Sequence, residues 1–175
     1  MAFVITEIIQ GEGGVYVAGK RFLSKMYSTT RKYNIPLIID EVQSGIGRTG
    51  KWWAYEHYDI RPDIITIGKA LQVGAVLFDK YLEPDRKGVL SSTWGGGSRI
   101  DLAIGAKTIE IIKKEKIIEN VERMARILKG LNDLCEEFDS IFEVRGLGLM
   151  IGIEFNNLKK RDSIINKWFN EGLLV

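Results

Sequence analysis

Pro36-Leu-Ile-Ile-Asp40 is a nearly continuous apolar run that ends in a carboxylate. As a strand it has no polar face, so it must be covered on both sides, which is the situation of a parallel sheet inside an α/β protein. Asp63-Ile-Ile-Thr-Ile67, entered through Pro62, reads the same way. Two such strands with helical pattern between and after them predict an open, mainly parallel sheet.

The flanking segments agree. Ala2 to Ile9 is rich in β-branched residues and runs into Gln10-Gly-Glu-Gly-Gly14, a strand followed by a loop. Lys20 to Tyr33 carries Phe22, Leu23, Met26 and Tyr27 at helical spacing. Glu41 to Gly50 is a glycine-rich loop, Lys51 to Tyr58 a short aromatic helix, and Leu71 to Phe78 continues in strand character. Asp79 to Gly97 reads as loop. From Ser98 to Phe138 the pattern is helical, with Val121, Met124, Leu128, Leu131, Cys135 and Phe138 on one face. Glu143 to Phe155 reads as strand interrupted by Arg145-Gly-Leu-Gly148, and Leu158 to Phe169 as a last helix. The chain opens on a strand and stops at the apolar Gly172-Leu-Leu-Val175, so a fragment of a longer chain is expected.

Composition narrows the function classes. The 175 residues carry 25 Lys plus Arg against 23 Asp plus Glu, a balance that points to neither nucleic acid nor an anionic membrane surface. One cysteine and one histidine provide no metal-ligand set and no intrachain disulfide. No apolar run reaches the ~18 residues of a membrane span, and the start lacks a signal-peptide pattern, so a cytoplasmic protein is expected.

Two motifs overlap in one loop. Gly45-Ile-Gly-Arg-Thr-Gly50 fits the dinucleotide fingerprint, and with Lys51 it fits most of a phosphate-binding loop. Trp52 stands where the second motif needs a hydroxyl for Mg²⁺, and Asp40-Glu-Val-Gln-Ser44 separates the glycines from the strand end that the first requires. A tight loop is the simpler reading, with a nucleotide-binding module as the minor alternative.

Asp40 and Lys69 each follow a parallel-type strand, and ligands bind at the carboxyl ends of such strands. Spacing alone leaves them readable as a salt bridge or as two groups facing one cavity. The surrounding residues say more. Asp40-Glu-Val-Gln-Ser-Gly-Ile-Gly-Arg-Thr-Gly-Lys-Trp52, Arg61-Pro-Asp-Ile-Ile-Thr-Ile-Gly-Lys69, Glu7-Ile-Ile-Gln-Gly-Glu-Gly-Gly14, Ser92-Thr-Trp-Gly-Gly96 and Val144-Arg-Gly-Leu-Gly-Leu-Met150 occur in collinear order. Together they resemble the class III aminotransferases, fold-type-I enzymes dependent on pyridoxal 5'-phosphate, with Ile8 where that family usually has proline. The compact Lys69-Ala-Leu-Gln-Val-Gly74 looks most like the L-lysine 6-aminotransferase branch, with 4-aminobutyrate and ornithine enzymes as the runner-up class.

That resemblance implies a division into part of the large cofactor-binding domain (1–105), an interdomain helix (106–138) and the start of the small C-terminal domain (139–175). It implies amino transfer from an amino acid, possibly through a terminal amine, to 2-oxoglutarate, via a Schiff base on Lys69. Asp40 would hold the pyridine nitrogen protonated, Val42 would pack on the ring, and Gln43 would bond the phenolic oxygen. Thr93 would reach the phosphate of a partner subunit's cofactor, so a homodimer with shared sites is implied. Glu12 would gate a substrate-binding arginine, and Arg145 would pair across domains. The family's phosphate-binding turn and ring-stacking aromatic lie before this segment, and its carboxylate-binding arginine after it, which makes an inactive remnant the second reading. His57 reads as a packed or surface residue, Cys135 as core, and Lys113-Lys-Glu-Lys116 as a solvated face.

Overall fold

A computed structural model describes residues 3–86, 89 and 96–175. Its main sheet has four strands, β1 (Val4–Glu7), β4 (Leu37–Asp40), β5 (Ile64–Ile67) and β6 (Ala75–Phe78), in the order β1-β4-β5-β6. β1 and β5 both run parallel to β4, with Glu7 opposite Asp40 and Asp40 opposite Thr66. The apolar runs therefore lie at the sheet's centre.

Leu37 and Ile39 are fully buried on one face, against Ile8, Leu23 and Ala54. Each such side chain contributes about 1.5–3 kcal/mol by leaving water. Leu23 comes from α1 (Lys20–Lys32), whose Met26 and Tyr27 also pack on this cluster, whereas Phe22 is 58% exposed and faces solvent. Arg31 and Lys32 lie in the last turn, where cations suit the helix dipole. Asn34 at φ +50° then takes the chain out of the helix before Pro36.

Four expectations are corrected. The run from Ala2 to Ile9 is not one strand. It breaks at Ile8, and β2 (Ile9–Gln10) pairs antiparallel with β3 (Tyr16–Val17) in a separate ribbon. The stretch from Leu71 to Phe78 is not continuous strand either. Lys69–Leu71 forms a 3-10 turn, and β6 runs antiparallel to β5, Ala75 opposite Ile67. The link from Gly68 to Gly74 is shorter than the roughly dozen residues that a parallel crossover needs.

The helical connector is divided. α2 (Arg99–Lys114) is capped by the Ser98 hydroxyl, which accepts from Asp101 N at 3.1 Å, and it ends at Glu115. Lys116 at φ +51° turns the chain into α3 (Ile117–Leu128), and a 3-10 segment, Lys129–Asp133, precedes the short α4 (Leu134–Glu137). These breaks rotate the apolar stripe off a common face: Val121 is buried, Cys135 half-buried and Phe138 46% exposed.

β7 (Ile141–Leu147) and β8 (Met150–Phe155) form an antiparallel hairpin that turns at Gly148-Leu149, so Arg145 to Leu147 lie within the strand instead of interrupting it. α5 (Leu158–Asn170) follows, its first amides capped by the Asn157 side chain. Among the described residues no helix is long and apolar enough to cross a membrane.

Candidate functional site

The carboxyl ends of β4 and β5 place Asp40 and Lys69 on adjacent loops. Asp40 Oδ1 accepts from Val42 N at 2.9 Å, which tightens the exit from the strand. Val42 then packs beside Gly68, where an added Cβ would stand 3.5 Å from Val42 Cγ1. The salt bridge to Asp40 that spacing allowed is not formed among the described residues. Lys69 Nζ instead lies 3.9 Å from Glu12 Oε1, and Gln43 Nε2 donates to that same oxygen at 2.7 Å. Five expected site residues, Glu12, Asp40, Val42, Gln43 and Lys69, thus come together from three loops. Thr93 lies outside the described residues.

Lys69 has φ +42°, a left-handed value uncommon for a residue with a side chain. Its carbonyl accepts from Gln72 N at 2.8 Å and from Gln72 Nε2 at 2.9 Å, which holds the turn closed. The Glu12 loop is tethered from below, since Glu7 Oε2 accepts from Gly11 N at 3.1 Å.

Two residues escaped the sequence reading. Glu41 is fully buried, and its carboxylate accepts from Ser44 Oγ at 2.6 Å and Tyr55 N at 3.0 Å. Burial pushes its carboxyl above the ordinary glutamate range, against the opposing hydrogen bonds. Thr66, opposite Asp40 in register, has a buried hydroxyl with no hydrogen-bond partner among the described residues. The signal for Glu41 was a charge directly after a buried strand with a hydroxyl three residues on, as in a side-chain-capped turn.

The glycine loop does not offer a phosphate cradle. Gly45 N donates to Glu41 O, Gly47 N to Trp52 O and Gly50 N to Gly47 O, so these amides are engaged. Only a four-residue 3-10 turn, Ala54–His57, follows. His57 is half-buried with Nε2 3.1 Å from both the carbonyl and the hydroxyl of Thr49, and burial moves its pKa below the ordinary histidine value. It braces the loop.

A lysine, two carboxylates and an amide thus gather at the carboxyl edge of an open α/β sheet, the place where such folds bind ligands. The chain belongs to the class-III aminotransferase family, whose model, described as "Aminotransferase class-III", matches residues 1–175. It is 38% identical over 179 residues to an acetylornithine aminotransferase of Archaeoglobus fulgidus, covering 99% of this chain and 45% of that protein. It superposes on an ornithine aminotransferase from Plasmodium yoelii with a TM-score of 0.92 at 34% identity, over 99% of this chain and 48% of the other. A lysine aminotransferase from Mycobacterium tuberculosis matches at 0.85 and 32%, over 98% and 41%. The chain therefore spans less than half the length of these relatives.

Proposed function

We propose that this protein moves an amino group from an amino acid to 2-oxoglutarate, with pyridoxal phosphate as cofactor and Lys69 as the reacting amine. The observation that carries this reading is the convergence of Lys69, Glu12, Gln43, Val42 and Asp40 at the carboxyl edge of β4 and β5. Whole-protein activity, substrates and partners are part of the proposal, because the chain covers under half of each relative.

The residues fit the group. A carboxylate at the strand end suits a protonated ring nitrogen, an apolar Val42 suits a ring face, and the Gln43 amide can donate to a phenolic oxygen as it now donates to Glu12. The Thr66 hydroxyl beside Asp40, unpartnered among the described residues, is a further polar atom of the site. When bound, the cofactor supplies an electron-withdrawing ring that stabilises negative charge on the substrate carbon.

Each side chain then has a defined task. Asp40 would keep the ring nitrogen protonated, and Val42 and Gln43 would fix the ring's orientation. Lys69 would hold the cofactor through its amine. The same amine, when free and unprotonated, would take the proton from the substrate carbon that bears the amino group. Glu12, 92% exposed at its side chain, would exchange its contacts with Gln43 and Lys69 for a substrate-binding arginine of the whole protein. Thr93 would serve the phosphate of a neighbouring subunit's cofactor, which makes the working form a homodimer. The relatives named for acetylornithine, ornithine and lysine all take diamino acids or their derivatives, and this favours a donor with a terminal amine.

Incubation with pyridoxal phosphate, borohydride reduction and peptide mass spectrometry test the reading. Stoichiometric label confined to Lys69 is expected. Label scattered over exposed lysines such as Lys25 and Lys159 would overturn it.

A further inference from the structure

The β7–β8 hairpin grips two of the three loops that carry the candidate site. Arg145, on β7, donates Nε to Gly14 O at 2.8 Å, and its guanidinium carbon lies 3.9 Å from the centre of the Tyr16 ring. Nη1 is held by the carboxylates of Glu143 and Glu154, and the Tyr16 hydroxyl donates to Glu154 at 3.2 Å. The Arg145 side chain is only 13% exposed. On β8, Gly152 comes so near that an added Cβ would lie 3.1 Å from Val15 Cβ and 3.2 Å from Gly14 O. At the hairpin turn, Leu149 N donates to Arg48 O at 3.0 Å.

Both gripped loops contain a β-branched residue in the left-handed region, Val15 at φ +59° and Ile46 at φ +59°. Such residues are outliers there, and strain of about 1–3 kcal/mol each persists only where the surroundings over-determine the backbone. Around Val15 the local bonds are Val15 N to Gln10 O at 2.8 Å and Gly14 N to Gly11 O at 3.2 Å. Glu7 Oε2 holds Gly11 N and Gln43 holds the Glu12 carboxylate, but the contacts on Gly14 and Val15 from outside the ribbon come from the hairpin. The turn displays Glu12, and Glu12 reaches Lys69.

We propose that Arg145 is a positioning residue for the candidate site. By gripping Gly14 it fixes the Gly11–Val15 turn and keeps the Glu12 carboxylate beside the Lys69 amine, so that docking of the hairpin is a condition of the site's geometry. The inference rests on the reading of Lys69 as the reacting amine, but its test needs no cofactor.

The experiment uses the full chain and two readouts: amide hydrogen exchange at Gly14 and Val15, and trace acylation of Lys69 by acetic anhydride relative to Lys25. An amine engaged by a carboxylate is the slower nucleophile. Arg145→Gln is expected to speed exchange at both amides and raise Lys69 acylation about twofold, the scale of an exposed ion pair. Arg145→Lys keeps the charge but loses the Nε donor, and is expected to do the same. Glu12→Gln alone raises acylation equally, and adding Arg145→Gln to it brings no further rise. A folded Arg145→Lys protein with wild-type exchange and acylation would overturn the proposal. So would a Glu12→Gln variant with unchanged Lys69 reactivity, or Arg145→Gln effects that persist in full without Glu12. Failure of selective pyridoxal phosphate labelling, with the Arg145–Glu12 coupling intact, would instead remove the proposed function and leave the positioning role standing.

Discussion

Gln43 Nε2 donates to Glu12 Oε1 at 2.7 Å, and this one bond ties the loop after β4 to the loop after β2. Gly11 lies beneath it, where an added Cβ would fall 1.7 Å from Gln43 Oε1. The obstructed atom is the end of a flexible side chain, so Gly11→Ala is expected to swing Gln43 aside and leave stability within about 1 kcal/mol. Losing the bond that orients Gln43 should weaken pyridoxal phosphate binding about fivefold, the equivalent of ~1 kcal/mol. A titration that follows cofactor absorbance checks this, and an unchanged affinity would take Gln43 out of the site.

Stability should depend on pH through two carboxyls that act in opposite directions. Burial raises the Asp63 pKa, but bonds from the Arg31 guanidinium, Leu37 N and the Tyr81 hydroxyl outweigh it and hold the group down to about 2. A depressed folded value means stability that is present above the ordinary aspartate range and lost as pH falls from about 5 towards 2, on the order of 2 kcal/mol. Glu41 has a raised folded value, so its contribution is present at acid pH and declines as pH rises through that value. Urea midpoints across pH should show Asp63→Asn losing about 2 kcal/mol at neutral pH and flattening the acid limb. Glu41→Gln should flatten the decline that begins as pH rises above the ordinary glutamate range. An acid limb retained in Asp63→Asn would assign it to other groups.

The central strands were legible because burial on both faces leaves an unbroken apolar run in the sequence, as in Leu37 to Ile39. Pairing direction leaves no such mark. Nothing in Ala75 to Phe78 records that it runs against β5, and only the shortness of the preceding link gives that away. The break at Lys116 was hidden because lysine and glutamate are good helix formers, while the left-handed turn there is set by its surroundings. In the site, Asp40 and Lys69 were visible through the motifs that surround them. The partner of Lys69 was not, since Glu12 reaches it from a loop fixed by Gly14 and Arg145 far along the chain. Glu41 was passed over within the glycine-rich loop because residue type cannot show that Ser44 and Tyr55 would enclose it.

Gly148 fixes the hairpin turn to the glycine loop. It has φ +65°, and an added Cβ would stand 2.5 Å from the Thr49 Cα, a backbone atom that cannot swing away. Gly148→Ala combines backbone strain with overpacking and is expected to destabilise by about 3 kcal/mol. Exchange at the Leu149 amide, now bonded to Arg48 O at 3.0 Å, should rise with it as the hairpin lifts. A loss under about 1 kcal/mol with that amide still protected would mean that the turn is not seated on Thr49.

Thr66 separates folding from binding. Its hydroxyl is buried beside Asp40 without a partner among the described residues, and a buried unpaired hydroxyl costs about 1–3 kcal/mol of desolvation. Replacing it with a methyl of similar shape removes that cost and leaves the strand's packing in place, so Thr66→Val should stabilise the cofactor-free chain by about 1 kcal/mol. If the hydroxyl is held for a ligand at the carboxyl edge, the same variant should bind pyridoxal phosphate more weakly while melting higher. Paired denaturation and binding curves read both effects on one sample. A variant that gains stability with unchanged cofactor affinity would make Thr66 a structural residue alone, and one that loses stability would mean that the hydroxyl has a hydrogen-bond partner in the folded chain.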